Sequence, residues 1–153
     1  MVDTPALRAV KESGLNHEVV EYGQVGSVEE AAVARGIAVN RVIKTIVVRR
    51  GEGDLLMVLV PGDRVIDWAK LRQVCGVSRM SLASAEEALV ATGYEPGTIT
   101  PFGSITALPV IADASMNGLA SIGGGAHGVA INVDAEELIG FLGARVEDVT
   151  RVI

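Results

Sequence analysis

The fold of this chain is limited first by two aliphatic runs that a short polar turn connects. The runs are Val42–Arg49 and Leu55–Val60, and Gly51-Glu52-Gly53-Asp54 lies between them. β-Branched and aliphatic residues on both sides of a glycine-containing turn predict a β-hairpin with a four-residue loop. We expect this hairpin to lie at the centre of a sheet.

Helix start signals recur along the sequence. Thr4 precedes Pro5, and Gly14 follows an apolar repeat at helical spacing, so a first helix is predicted between them. Three more helices are predicted by capping boxes, in which glutamate follows the cap by three residues: Ser27 with Glu30, Ser84 with Glu87, and Asp134 with Glu137. A further helix is predicted from Asp67 to Val74. The remaining predicted strands are His17–Tyr22, Ser78–Leu82, Pro109–Ala112, Leu119–Ile122 and Val129–Val133.

This mixture of helices and strands predicts an α+β fold. We expect one domain over residues 1–153, in which helices pack outside a mixed, curled and barrel-like sheet. Hydrophobic residues make up 49% of the chain and charged residues 21%, which excludes a disordered protein. The single cysteine, Cys75, cannot form an internal disulfide. The N-terminus has no signal-peptide pattern, and no apolar stretch reaches the roughly 20 residues of a membrane helix, so we expect a cytoplasmic protein without a membrane partner.

Charge is distributed unevenly along the chain. Residues 1–80 contain 11 lysine and arginine residues and 10 acidic residues, whereas residues 81–153 contain 2 and 9. A polyanion is therefore expected to meet the first half, where Arg41, Lys44, Arg49 and Arg50 lie close together. The same cluster is also typical of the solvated end of a strand.

Lys44 interrupts an apolar stripe. Alternation along the predicted strand places it on the same face as Val42, Ile46 and Val48. An unpaired buried ammonium is costly, so the side chain must reach the rim of the sheet, find a counter-charge, or line a cavity for an anionic or carbonyl ligand. A lysine that protects a strand edge from aggregation is the alternative without a ligand.

A second unusual segment, residues 93–103, contains three glycines and two prolines. Glycine lets the backbone approach a ligand and proline stiffens the loop, so the remaining amide groups can converge on one point, as in an oxyanion site. A crossover loop without a ligand has the same composition.

Residues 123–128 read Gly-Gly-Gly-Ala-His-Gly, which matches the dinucleotide pattern G-x-G-x-x-G. That pattern requires a helix directly after the glycines, whereas Val129–Val133 predicts a strand, so a dinucleotide site is excluded. A glycine turn between strands can still present amide groups to a ligand. His127 is open to two interpretations, a phosphate contact or an exposed turn residue.

The sequence offers no clear protein nucleophile. His17 and His127 are far apart, no serine lies in a G-x-S-x-G elbow, and Cys75 lies in a predicted helix without an evident partner. No pair of acids and no metal-ligand spacing stands out, so we expect neither a cofactor nor a metal.

The unusual segments occur in the order seen in the YbaK/ProX family of aminoacyl-tRNA deacylases. Lys44-Thr45, residues 92–103, Leu108–Asp113 and Gly123–Gly128 carry this resemblance, which extends almost from end to end. Members of that family are trans-editing proteins, related to the insertion domain of bacterial prolyl-tRNA synthetases, that hydrolyse the ester between a wrong amino acid and tRNA. The resemblance implies a misacylated tRNA as substrate, held by its 3′-terminal aminoacyl-adenosine, and a synthetase as a candidate partner.

The resemblance also implies site residues. Lys44 matches the family's functional lysine, Gly97–Pro101 its GxxxP substrate loop, and Tyr22 a pocket tyrosine. We assign Lys44 and Gly97 to catalysis. Substrate contacts are expected from Tyr22, Thr45, Thr98, Ile99, Thr100, Pro101, Gly123, Gly124, Gly125 and His127.

One segment departs from the family pattern. YbaK itself has Ser-Gly-Gly-x-Arg-Gly with an aspartate two residues later, whereas this chain has Gly123–Gly128 and then Ala130. The departure leaves the edited amino acid open. Two other functions also remain open: a module that binds tRNA or a synthetase without hydrolysis, and a hydrolase of a small ester or nucleotide.

Overall fold

The computed structural model describes residues 2–153. Within these residues the helices are α1 (Pro5–Ser13), α2 (Val28–Arg35), α3 (Trp68–Cys75), α4 (Ala85–Thr92) and α5 (Ala135–Leu142). The strands are β1 (Glu18–Glu21), β2 (Val42–Gly51), β3 (Asp54–Pro61), β4 (Arg64–Ile66), β5 (Ser81–Leu82), β6 (Val110–Asp113), β7 (Leu119–Gly123), β8 (Val129–Asp134), β9 (Arg145–Glu147) and β10 (Thr150–Val152). None of the helices in the described part of the chain is long and apolar enough to cross a membrane.

A mixed sheet of eight strands forms the centre of the fold. Its order is β1-β8-β7-β2-β3-β6-β9, and β5 pairs with the last part of β2. The pairs β2 with β7, β3 with β6, and β6 with β9 are parallel, and the others are antiparallel. Strands β1 and β9 end the strand order and do not pair with each other, so the sheet does not close into a barrel. The predicted α+β class, with a mixed sheet and helices outside it, is confirmed.

Strands β2 and β3 form the predicted hairpin. They pair from Ile43 opposite Pro61 to Gly51 opposite Asp54, with a shift of register between Arg49 and Gly51. Because both strands continue to the ends of the polar segment, only residues 52 and 53 form the loop, and the predicted four-residue loop is wrong by two residues. The hairpin lies at the centre of the strand order, as expected.

Side-chain caps explain where the helices begin. Each predicted cap residue accepts a hydrogen bond from the backbone N–H three residues later: Thr4, Ser27, Asp67, Ser84 and Asp134. Ser84 and Glu87 complete the reciprocal capping box. At α2, however, the Glu30 carboxylate accepts from the Gly26 N–H at 2.6 Å, so the second half of the predicted box lies one residue earlier. The five helix starts are confirmed.

The two faces of the sheet are covered by different elements. Helices α1, α4 and α5 pack on the face that carries Ile43 and Val47. Helix α3 and a small second sheet of β4 and β10 cover the opposite face, where Val48 and Val58 are buried. Lys44 alternates with Ile46 and Val48 along β2 and therefore projects from this second face. The sheet thus brings a cation next to an aliphatic core.

Three short strands were not predicted from the sequence. β4, β9 and β10 have three residues each, and each includes an arginine, so they are too short to give a strand signal. They form because a distant partner supplies the hydrogen bonds, as when Thr150 of β10 pairs with Ile66 of β4. Such strands depend on tertiary structure.

Candidate active site

A cavity of about 370 Å³ opens beside the first residues of β2. Its lining comes from α2, from β2, from the loop before β6 and from the turn between β7 and β8. These segments are far apart in the sequence, and the sheet order brings them together by placing β7 beside β2 and β8 beside β1. The volume is within the range of small-molecule sites in proteins.

Lys44 is half-buried in the lining of this cavity. Its Nζ donates a hydrogen bond of 2.7 Å to the backbone carbonyl of Arg64, the first residue of β4. No carboxylate within residues 2–153 lies within 4.0 Å of this ammonium. Since an ammonium has three donors, two remain for a ligand.

The electrostatic surroundings of Lys44 are mixed. Burial lowers the pKa of its ammonium, and the carboxylates of Asp63 and Glu29 raise that pKa only in part. One oxygen of Asp63, Oδ1, is itself buried without a hydrogen-bond partner in the described part of the chain. The cation is therefore held by a carbonyl and by charges at a distance, an arrangement that leaves it accessible to an anionic or carbonyl group.

The loop before β6 reaches the cavity through Gly97 and Ile99. Gly97 has a φ of +86°, a conformation that side chains other than glycine rarely adopt. Its backbone N–H has no protein acceptor within residues 2–153. Next to it, Thr98 closes the loop on itself, because both its N–H and its hydroxyl donate to the Glu95 carbonyl, at 3.0 and 2.8 Å.

Tyr94 fixes the far end of the same loop. Its hydroxyl donates a hydrogen bond of 2.6 Å to the Phe102 carbonyl, and the ring is 4% exposed. Burial raises the pKa of Tyr94 to about 12, although the Arg8 charge and a hydrogen bond with the Ala6 backbone act in the opposite direction. The phenol therefore remains a neutral donor at physiological pH.

The glycine-rich turn between β7 and β8 faces this loop. A Cβ placed on Gly123 would lie 3.4 Å from the Ile99 carbonyl, and the Cε1 atom of His127 lies within 3.3 Å of the position of a Cβ on Gly97. At Gly128, a Cβ would collide with the Tyr22 carbonyl at 2.5 Å. Glycine at positions 123 and 128 lets the turn approach its neighbours this closely.

The cavity contains seven of the residues predicted for the site: Tyr22, Lys44, Thr45, Gly97, Ile99, Gly123 and His127. Among them, the Thr45 hydroxyl is buried and has no hydrogen-bond partner within the described residues. A buried hydroxyl without a partner is costly in a folded protein, so Thr45 is an unsatisfied polar group in the wall of the cavity.

Five predicted residues lie outside the cavity lining: Thr98, Thr100, Pro101, Gly124 and Gly125. Thr98 and Thr100 are buried side chains within the loop, and Pro101 lines a separate apolar depression with Phe102 and Phe141. Gly124 and Gly125 pack against Val129 and against Tyr94. These five residues therefore lie next to the cavity lining rather than in it, and their predicted substrate contacts stay predictions.

Sequence reasoning missed the contribution of helix α2 and its residue Arg35. Ser27, Val28, Ala31 and Arg35 all belong to the lining. An arginine in the last turn of a short helix ordinarily interacts with the helix terminus, so the sequence carries no signal that it faces a cavity. Cys75, the single cysteine, lies in α3 and not in the cavity lining. Within residues 2–153, no group of three or more His, Cys, Asp or Glu residues is suited to hold a metal ion.

Comparison with known proteins decides the family. The family model described as "Aminoacyl-tRNA editing domain" matches residues 23–141, which include Lys44, the 93–103 loop and the glycine-rich turn. The chain belongs to this family. The predicted relation to the editing domain of prolyl-tRNA synthetases is confirmed by this match and by similarity to Proline--tRNA ligases.

Two curated relatives differ in how much of their length this chain covers. Proline--tRNA ligase of Pelobacter propionicus is 29% identical over 117 residues, which are 76% of this chain and 20% of that protein. The uncharacterized protein YwhH of Bacillus subtilis is 34% identical over 118 residues, which are 75% of this chain and 74% of that protein. The chain therefore spans about a fifth of the ligase but most of the small protein.

A solved structure shares the whole fold. It is described as a candidate trans-editing enzyme for prolyl tRNA synthetase, and it matches with a TM-score of 0.89 and 27% identity over 99% of both chains. The hypothetical protein APE2540 has the same fold, with a TM-score of 0.87, 24% identity and coverage of 97% of this chain.

Proposed function

We propose that this protein is a trans-editing aminoacyl-tRNA deacylase, which hydrolyses the ester of a misacylated tRNA in the cavity beside β2. The observation that carries the proposal is the meeting of Lys44, Gly97 and the glycine-rich turn in one cavity, in a chain of the editing family. The description of the similar structure as a trans-editing enzyme for prolyl tRNA synthetase supports the same substrate class.

The reaction needs no protein nucleophile, since an aminoacyl ester is already activated. A water oxygen attacks the ester carbonyl carbon, the bond from that carbon to the ribose oxygen breaks, and the proton lost by water ends on the ribose hydroxyl. A hydroxyl of the terminal ribose can orient this water. The protein has to hold the ester and stabilise the oxyanion that forms on the carbonyl oxygen.

Gly97 and Lys44 are suited to these tasks. The free N–H of Gly97 lies in a loop that Thr98 and Tyr94 hold rigid, so it can donate to the oxyanion without rearrangement. The two unused donors of Lys44 can bind the phosphate of the terminal adenosine or the ester itself. Thr45 follows Lys44 in β2 and lies in the same cavity lining.

Replacement of Lys44 tests the proposal. We expect Lys44→Ala to lower deacylation of misacylated tRNA by on the order of 10²-fold or more, because a preorganised donor is lost, and we expect Lys44→Arg to recover part of that loss. Lys70→Ala is the matched control: Lys70 also donates to a backbone carbonyl, that of Thr150 at 3.0 Å, but it lies on α3 outside the cavity. Equal rates for Lys44→Ala and the wild type would show that Lys44 is structural.

The same assay separates the other functions. A panel of tRNAs charged with different wrong amino acids measures turnover, and filter binding on the same panel measures affinity. Binding of tRNA without turnover would show a binding module, and hydrolysis of small esters alone would show a hydrolase unrelated to tRNA. Addition of a prolyl-tRNA synthetase tests whether this candidate partner delivers the substrate.

A further inference from the structure

Arg35 connects α2 to two other walls of the cavity. From the last residue of the helix, its Nη2 donates to the Tyr22 hydroxyl at 2.9 Å. Its Nη1 donates to the Ser121 carbonyl at 3.1 Å and to the Ser121 hydroxyl at 3.3 Å. Tyr22 follows β1 and Ser121 belongs to β7, so a single side chain joins three segments that are distant in the sequence.

The groups that accept hydrogen bonds from Arg35 are all neutral. Within residues 2–153, no carboxylate lies within 4.0 Å of the Arg35 guanidinium. The guanidinium carbon instead lies 5.2 Å from the centre of the Tyr22 ring, a distance typical of a cation–π contact. Arg35 thus holds Tyr22 at both its hydroxyl and its ring.

Both residues lie in the lining of the cavity that contains Lys44. The backbone restrains Tyr22 as well, because its N–H donates to the Gly128 carbonyl at 2.8 Å. The ring can therefore move away from the cavity only if it breaks its contacts with Arg35. A wall fixed in this way limits the size of the group beside it.

We propose that Arg35 is a positioning residue that sets amino acid specificity by holding the Tyr22 ring against the acyl side chain of the substrate. This inference rests on the proposed deacylase function. Arg35 acts through Tyr22, and its loss lets the ring withdraw so that larger acyl groups fit. A pocket discriminates one additional methylene by roughly 10-fold or more, so the effect is measurable.

The test uses tRNA charged with alanine, proline or leucine and measures kcat/KM for each. We expect the wild type to favour the small acyl groups. Arg35→Met keeps the apolar stem but removes the donors, and we expect it to raise the ratio of leucyl to alanyl turnover by about 10-fold. Tyr22→Phe, which removes only the hydroxyl, should change the ratio in the same direction. The double variant of Arg35→Met with Tyr22→Phe should have nearly the same ratio as Arg35→Met alone.

Arg8→Met is the matched control, since Arg8 lies on α1, is paired with Asp3 and is absent from the cavity lining. Circular dichroism checks the fold of each variant, and Tyr22→Phe carries the test if Arg35→Met does not fold. An equal loss of kcat/KM by Arg35→Met on all three substrates would overturn the inference. It would show that Arg35 has a purely structural role or contacts the adenosine that all three substrates share. A wild type that cleaves none of a wider panel would instead contradict the proposed function, and the inference with it.

Discussion

At Gly97, the backbone conformation favours glycine more strongly than the space around it does. Its φ of +86° disfavours any residue with a Cβ, and a Cβ there would lie 3.3 Å from the Cε1 atom of His127. The imidazole is exposed and can move by a few tenths of an ångström. The main effect of a substitution is therefore on the conformation of the loop that presents the amide.

If the protein has the proposed deacylase function, we expect Gly97→Ala to lower kcat/KM by at least about 10-fold, because a changed loop conformation would displace the amide proposed to stabilise the oxyanion. The free energy of unfolding should fall by only about 1–2 kcal/mol, the cost of a left-handed non-glycine residue. Gly14→Ala is the matched control, since Gly14 has a φ of +77°, has open space around it and lies at the end of α1. Both variants should lose similar stability in urea unfolding, and an equal loss of activity in both would contradict a special role for Gly97.

Among the elements, the small second sheet determines where Lys44 is held. The Arg64 carbonyl that accepts from Lys44 belongs to β4, and the Arg64 side chain donates to the Thr150 hydroxyl of β10 at 2.7 Å. Arg64 also lies 3.8 Å from Asp113, at the end of β6, whose side chain is 1% exposed. Asp113 thus connects the main sheet to the second sheet.

The pH dependence of stability tests this connection. Burial raises the pKa of Asp113, but hydrogen bonds from Ser115, Val149 and Thr150 outweigh it, and the pKa lies below its ordinary value of 3.8. A depressed pKa contributes stability above the unfolded-state pKa, and this contribution is lost as the pH falls through the folded-state pKa.

We therefore expect Asp113→Asn to reduce the free energy of unfolding by about 1–3 kcal/mol at pH 7. The difference from the wild type should shrink as the pH falls below about 4, as measured by urea unfolding followed through the fluorescence of Trp68. Asp148→Asn, at an exposed ion pair with Lys70, serves as the control. A difference that stays constant down to pH 3 would show that the Asp113 charge contributes nothing.

For the molecule as a whole, the net charge of −6 opposes association with a polyanion, but the charge is not uniform. Of the basic residues near the hairpin, Arg41 donates to the Asn117 carbonyl, Arg49 pairs with Glu87 at 3.4 Å and Arg50 with Asp54 at 2.9 Å. Arg49 and Arg50 also line a surface depression with Arg72 and Arg79, which have no ion pair within residues 2–153.

We expect weak, salt-dependent binding of free tRNA through this depression. The double variant Arg72→Gln with Arg79→Gln should weaken binding and reduce the slope of log affinity against log salt by up to about 2. Arg145→Gln with Arg151→Gln removes the same charge from the second half and should have little effect. A submicromolar affinity that does not respond to salt would contradict this prediction.

Local interactions explain which features the sequence alone determines. The cap at Ser84 and the turn after Arg49 depend on residues within a few positions of one another, so their patterns appear in the sequence directly. Lys44 is also recognisable, because a charge in an apolar strand conflicts with its neighbours. The family resemblance adds Gly97 and Tyr22, which periodicity alone does not select.

Long-range packing decides which residues line the cavity and how they are held. Arg35 meets Ser121 across 86 residues of chain, and Lys44 reaches the carbonyl of Arg64 in a strand that forms only when β10 pairs with it. Neither contact has a periodic or local signature, because each joins segments that only the folded structure brings together. The sequence therefore identifies a lysine and two glycine-rich loops, and only the folded chain shows which side chains hold them in place.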